Sequence, residues 1–187
     1  MEIANRTNFP LSKIIAERRS IRAFDSKIPE KDLVLSLFEA ARWAPSSSNN
    51  QPWRYIYATK NEKEKYEKIL SCLAESNQIW ASKAPMLILS LTKKLTNTGK
   101  AYKHNFYDTG AANMALALQA TSLGMQAHIM GGFDIDMAKE MFKIDESLEP
   151  VVVIAVGFAG NVNDLPENLR LREIPSDRFQ LNNLFIS

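Results

Sequence analysis

The sequence predicts a single domain, residues 1–187, that mixes helices and strands, and three observations predict it. Helix-period and strand-period apolar patterns alternate along the whole of the 187 residues. No Pro/Gly/Ser stretch is long enough to act as a linker, and no internal repeat divides the chain. A short continuous apolar run at 85–92, bounded by Pro85 and Lys93, reads as a strand buried on both faces.

The elements follow in order. Leu11, Ile14 and Ile15 suggest a first helix ending near Arg18. Leu33, Leu37, Phe38 and Ala41 mark a second, with Pro29 near its first turn, where a missing N–H costs nothing. Residues 53–59 alternate in strand fashion, and Tyr66, Ile69, Leu70 and Leu73 give a third helix. Residues 108–123 form the longest helix, with Asp108 as its cap and Gly124 at the left-handed position after its end. Its body, including Ala112, Met114, Leu116, Ala117, Leu118 and Ala120, is apolar almost all round. A helix of that kind is buried, and in a chain this size a partner subunit covering part of it is expected. A strand at 126–130 leads to Gly131-Gly132, a helix at 134–143 and a strand at 151–158. The tail, 161–187, is polar and irregular until Leu184-Phe185-Ile186, an apolar triplet expected to dock on something.

Composition excludes several classes. With 23 basic and 21 acidic residues the net charge is +2, too balanced to argue for nucleic acid or an anionic membrane as partner. The basic residues at 60–68 alternate with Glu62, Glu64 and Glu67, as on a solvated helix face. One cysteine, Cys72, excludes an internal disulfide and a cysteine-based metal cluster, and its spacing from Ile69 makes it a small buried filler. Met1-Glu2-Ile3-Ala4-Asn5 carries no apolar secretory core, and the runs at 86–89 and 151–156 are too short to span a bilayer. A cytoplasmic setting is therefore expected.

Conventional catalytic constellations are missing. The two histidines, His104 and His128, have no second ligand at helical spacing, and His128 reads as a satisfied core residue. There is no nucleophile elbow, Walker loop or dinucleotide fingerprint. If the chain is an enzyme, a cofactor carries the hard chemistry and the protein supplies grip and orientation. Three segments suit that task. Arg18, Arg19, Ser20 and Arg22 place three rigid forks of donors and a hydroxyl within five residues, as phosphate requires. Pro45, Ser46, Ser47, Ser48, Asn49, Asn50 and Gln51 put short donors and acceptors on a loop that can read a polar heterocycle. Met130-Gly131-Gly132 follows a strand, where glycines let main-chain N–H groups approach a flat ligand.

Arg-Arg-Ser-Ile-Arg-Ala-Phe at 18–24, Pro-Ser-Ser-Ser-Asn-Asn-Gln-Pro-Trp at 45–53 and Met-Gly-Gly-Phe at 130–133 together resemble the nitroreductase family of FMN flavoproteins. Asn77, Ala84-Pro85, Asp108-Thr109-Gly110-Ala111, Gly157 and Arg178 fall in the same order, so the resemblance runs from about Ile14 to Arg178. It implies an α+β fold around a mixed, mainly antiparallel sheet flanked by helices. It also implies a homodimer joined through its long helices, with a C-terminal tail that crosses to the partner. It further implies that Arg18, Arg19, Ser20, Arg22 and Arg178 hold the FMN phosphate and ribityl chain, and that Asn77 meets the pyrimidine edge. Met130, Gly131 and Gly132 would bring a backbone N–H to flavin N5, and Pro45, Ser46, Ser47 and Asn49 would come from the other subunit.

The same resemblance implies an FMN-dependent oxidoreductase working by a ping-pong route, with NAD(P)H as transient donor and a nitroaromatic, quinone or activated alkene as acceptor. No side chain need act as the redox group. The alternatives are a relative that runs the flavin as dehydrogenase, oxidase or dehalogenase, and a non-catalytic flavin-binding protein. Two departures stand out: Gly131 where many members have Glu, and Ser176 where many have Lys, which removes a cation. The stretch 93–104 replaces a longer excursion of larger members, so the resemblance implies a pocket that is either more open or lined differently, by Trp80, Tyr102 and Phe106.

Overall fold

A computed structural model describes residues 7–186, so the reading of Met1-Glu2-Ile3-Ala4-Asn5 lies outside the described residues. Apolar runs, alternating in β1 and continuous in β2, build the sheet: β1 (Trp53–Thr59), β2 (Met86–Lys93), β3 (Met125–Met130) and β4 (Leu148–Phe158), in the order β1-β2-β4-β3. In β2, Met86 and Ile88 face one core while Leu87, Leu89 and Leu91 face the other, so the run is buried on both sides as its composition predicts.

Helices cover both faces. On one, α2 (Lys31–Arg42) and α5 (Asn105–Ser122) lay Val34, Leu37, Ala41, Leu116 and Ala120 against Met86, Ile88, Ile154 and Val156. On the other, α3 (Lys63–Ser71), α4 (Glu75–Ala81) and α6 (Ile135–Phe142) bring Ile69, Trp80 and Ala138 against Leu87, Leu89, Val153 and Ala155. Cys72 is buried on this side, as expected of a filler. A one-turn α1 (Lys13–Glu17) precedes the arginine segment. The architecture is α+β, with an antiparallel four-stranded sheet between helical layers.

The expectation of a mixed sheet is corrected. α5 returns the chain to the level where β2 began, so β3 runs in the direction of β2. β4 is inserted between them and pairs antiparallel with both, leaving no parallel pair among the described residues.

Two further expectations change at the helices. α5 begins at Asn105 and Asp108 is not its cap; it lies inside the first turn and is buried. Nor is α5 wrapped in apolar packing. Its inner face carries Asn105, Thr109 and Asn113, which meet Thr92, Lys93, Ser90 and Tyr55 through hydrogen bonds. Its outer face exposes Tyr107 (80%) and Met114 within the chain. Gly124, at φ +75°, does end it in the left-handed position. α4 was not anticipated, because Ile79 and Trp80 are too few to show a period.

The tail is less irregular than expected. α7 (Glu167–Arg170) and 3₁₀ turns at Val162–Asp164, Leu171–Glu173 and Leu181–Leu184 punctuate it, and Leu165 and Leu169 anchor it in the core. Leu184, Phe185 and Ile186 stay exposed. Among the described residues no helix is long and apolar enough to cross a membrane.

Candidate functional site

The arginine segment is strapped across the start of β3. After α1 the chain turns extended at Arg18 (φ −62°, ψ 125°). Gln126 Oε1 accepts the Arg19 N–H at 2.7 Å, and Gln126 Nε2 donates to Glu17 O at 3.2 Å. Two residues on, His128 Nδ1–H donates to Ile21 O at 2.8 Å. Burial pushes the His128 pKa below the ordinary histidine value, which keeps the ring neutral with its proton on Nδ1. The far end of the segment is pinned by Asp25 N–H to Phe158 O (3.0 Å) and Gly160 N–H to Ala23 O (2.9 Å). Sequence reasoning missed Gln126 and His128 as positioning groups. Their signal was two polar residues at i, i+2 on a strand whose other positions are apolar.

Arg18, Ser20 and Arg178 come together at this edge. Arg18 Nη1 lies 3.5 Å from Ser20 Oγ. Burial lowers the Arg18 pKa, and the neighbouring charges of Arg178 and Arg19 lower it further. Like charges that act on one another form a place where an anion relieves repulsion. Arg178 Nη1 meanwhile donates to the carbonyls of Ser176 and Asp177, at 3.2 and 3.1 Å.

Arg22 is engaged differently. Its Nη1 sits 3.2 Å from Glu173 Oε1 and 3.1 Å from Arg172 O, while both Glu173 oxygens accept its backbone N–H at 3.1 Å. The two side chains are only 14% and 9% exposed. Arg19 Nη2 donates to Glu173 O at 3.0 Å, so the tail is buckled to the segment at one residue. Below, Trp80 lies under the Arg22 guanidinium at 5.9 Å and packs on His128 at 4.4 Å and Phe24 at 6.3 Å.

One helical turn from Trp80, Asn77 on α4 donates from Nδ2 to Gly132 O at 3.1 Å, and Ala74 N–H reaches the same carbonyl at 3.0 Å. A Cβ on Gly132 would stand 3.0 Å from Asn77 Nδ2, whereas one on Gly131 would meet nothing within 4 Å. Both glycines are exposed and neither adopts a left-handed φ, so the turn itself does not demand glycine at 131. What glycine leaves there is bare main chain open to a flat ligand. Met130 is buried, so only its backbone belongs to this edge.

Pro45, Ser46, Ser47 and Asn49 lie elsewhere. Ser47 N–H donates to Asp108 Oδ2 at 3.0 Å, at the beginning of α5, whereas Arg19 is held by Gln126 just past its end. The intervening length of α5 is roughly 20 Å at 1.5 Å per residue. The loop also precedes β1, at the sheet edge opposite β3. Within one chain the predicted residues therefore form two groups: the β3 edge, from Arg18 and Arg178 through Arg22 to Asn77 and the glycines, and the distant 45–51 loop.

Of the aromatics expected near a pocket, Trp80 and Tyr102 are buried and Phe106 is exposed. The stretch 93–104 folds back on itself through a Leu95–Ala101 bridge. A cleft of about 520 Å³ between α3 and α6, lined by Glu62, Lys65, Lys68, Met141 and Phe142 among others, contains none of the predicted residues.

Comparison with known proteins agrees with this fold. The model of the nitroreductase family matches residues 15–158. A crystal structure of an "oxidoreductase containing FMN" superposes with a TM-score of 0.92 at 35% identity, covering 96% of this chain and 92% of that one. A nitroreductase in complex with FMN from Desulfovibrio desulfuricans shares the fold at TM-score 0.76 and 22% identity, over 97% of this chain and 98% of that one. YdgI of Bacillus subtilis (strain 168), whose name places it among NAD(P)H nitroreductases, is 25% identical over 184 residues, 80% of this chain and 88% of that protein.

Proposed function

This chain belongs to the nitroreductase family, and from that premise we propose that it is an FMN-dependent NAD(P)H oxidoreductase. The residues present suit FMN on their own chemistry. Arg18, Ser20 and Arg178 offer a cationic, hydroxyl-bearing corner for a phosphate. Asn77 offers an amide beside bare main chain at Gly131 and Gly132 for a polar planar edge. These two features lie on one edge of one strand, and that alignment is the observation that carries the reading. Ser176, in place of the lysine that many members carry two residues before the tail arginine, leaves Arg178 as the tail's contribution to the phosphate corner.

When bound, FMN supplies hydride acceptance and donation at N5, between NAD(P)H and an electron-poor acceptor such as a nitroaromatic, quinone or activated alkene. The protein's own part is to grip and orient. Gln126 and His128 fix the backbone of the arginine segment, so Arg18 and Arg19 are presented without reorganisation. Glu173 fastens the tail to the segment and brings Arg178 into place. Bare main chain at 131–132 gives a donor edge without side-chain interference.

The 45–51 loop, too far to join this edge in its own chain, would complete the site of a second copy. The exposed stripe of Tyr107 and Met114 on α5, together with Leu184, Phe185 and Ile186, supports such a homodimer, because apolar surface of this extent is normally covered.

The test is the visible spectrum of the purified protein, recorded anaerobically before and after NADPH or NADH. A flavin band that bleaches with reductant and returns with a nitroaromatic or quinone is expected. Protein that carries no flavin and takes up no FMN when supplied contradicts the proposal. A bound flavin that neither nucleotide bleaches would favour a dehydrogenase or oxidase working from another donor.

A further inference from the structure

Asp108 is buried in the first turn of α5, yet among the described residues it is in none of the ion pairs. Its Oδ2 accepts the Ser47 N–H at 3.0 Å and the Tyr102 hydroxyl. Tyr102 is buried too, and its hydroxyl lies 3.1 Å from Ser47 O. Both backbone groups of Ser47 thus face this pair. A buried carboxylate without a cation is costly, and the positive end of α5 with two donors offsets that cost.

What the pair holds is a strained loop. Ser48, Asn49 and Gln51 have φ of 51°, 52° and 46°, three left-handed non-glycine residues within four positions. Such backbone persists only where its surroundings over-determine it. The other ties come from within or beside the loop: Ser46 Oγ accepts Gln51 N–H at 3.0 Å, Asn50 Nδ2 donates to Ser47 O at 2.6 Å, and Asn97 N–H donates to Asn50 Oδ1 at 2.8 Å. Asp108 and Tyr102 are the anchors that reach into the folded core. The neighbouring Thr109–Thr92 hydrogen bond (2.8 Å) belongs to the same turn of α5 but touches no loop residue.

We infer that Asp108 and Tyr102 are positioning residues that clamp Ser47 and keep the 45–51 loop in the one backbone shape in which it serves the cofactor site. The inference rests on the proposed FMN site. A loop held in one shape by the clamp loses less entropy on binding than a free linker of the same composition would.

The experiment measures FMN affinity by fluorescence quenching, well below every melting transition, and amide hydrogen exchange across 46–51 in FMN-free protein. Asp108→Ala is expected to weaken FMN binding at least tenfold and to speed exchange at Ser47. Asp108→Asn, which keeps an acceptor, is expected to return within about threefold of wild type. Tyr102→Phe removes only a hydroxyl and decides the matter if Asp108→Ala does not fold; it is expected to show weakened binding and faster exchange. Thr109→Ala is expected to lower Tm without changing affinity. Asp108→Ala or Tyr102→Phe binding FMN as wild type does, or Thr109→Ala losing as much affinity as Asp108→Ala, overturns this inference alone. Wild type that takes up no FMN overturns the function reading and this inference with it.

Discussion

Arg18 and Arg22 are four residues apart and take opposite parts. Arg18 faces like charge from Arg178 and Arg19, while Arg22 is held by the carboxylate of Glu173 in a largely buried pair. Removing one partner of such a pair strands the other, at about 3 kcal/mol. Removing a half-exposed cation from among cations costs folding little. Arg18→Ala is therefore expected to lose FMN affinity about 10–100-fold while its urea midpoint stays close to wild type. Arg22→Ala should lower that midpoint clearly, and equal midpoints for the two variants would show that Glu173 does not hold Arg22 in solution. The sequence displayed three arginines and a serine but not this division of labour. Glu173 is 151 residues from Arg22, and nothing local signals that the tail returns to it.

At the scale of elements, the strands and long helices were legible because each buries an apolar face whose period is printed in the chain. Residues 53–59 coincide with β1, and the helix expected at 134–143 is α6, capped by Asp134, which accepts the Met137 N–H at 2.9 Å. Failures came where polar residues decide. α4 shows too little period to detect. Asp108, which has the chemistry of a cap, is instead drawn inward by Ser47 and Tyr102. Sheet order was equally hidden, since inserting β4 between β2 and β3 is a matter of long-range pairing.

Two glycines test how the segment and the turn are built. A Cβ on Gly160 would lie 2.5 Å from the carbonyl carbon of Phe24, against backbone that seats the arginine segment, whereas one on Gly131 meets nothing within 4 Å. Gly160→Ala is expected to destabilise by about 2 kcal/mol or more. Gly131→Ala should fold and bind FMN as wild type does, because many family members carry Glu at this position and the edge is offered by main chain. Chemical denaturation and FMN titration of both variants check this; a Gly131→Ala protein that folds but loses FMN shows that the turn needs glycine and not main chain alone.

For the whole molecule, the proposed site is half present in one chain. The β3 edge supplies the phosphate corner and the open main chain, and the 45–51 loop stands roughly the length of α5 away. The motifs could be read from the sequence as a set, but the distance between them could not, because it depends on where α5 and the sheet order carry the loop. Phe185 (70%) and Tyr107 are exposed in the single chain, apolar surface that the proposed second copy would cover.

The measurement that bears most directly on this account is complementation between two defective chains. Arg18→Ala spoils the β3 edge, and the double variant Ser46→Ala/Asn49→Ala spoils the loop. Each alone should bind FMN poorly. Unfolded together and refolded as a mixture, they should form mixed pairs that regain one wild-type site, joining the intact edge of one chain to the intact loop of the other. The account predicts tight FMN binding in the mixture at up to one FMN per mixed pair, absent from either variant refolded alone. A mixture that forms mixed pairs and binds no more FMN than its components contradicts a site shared between two chains.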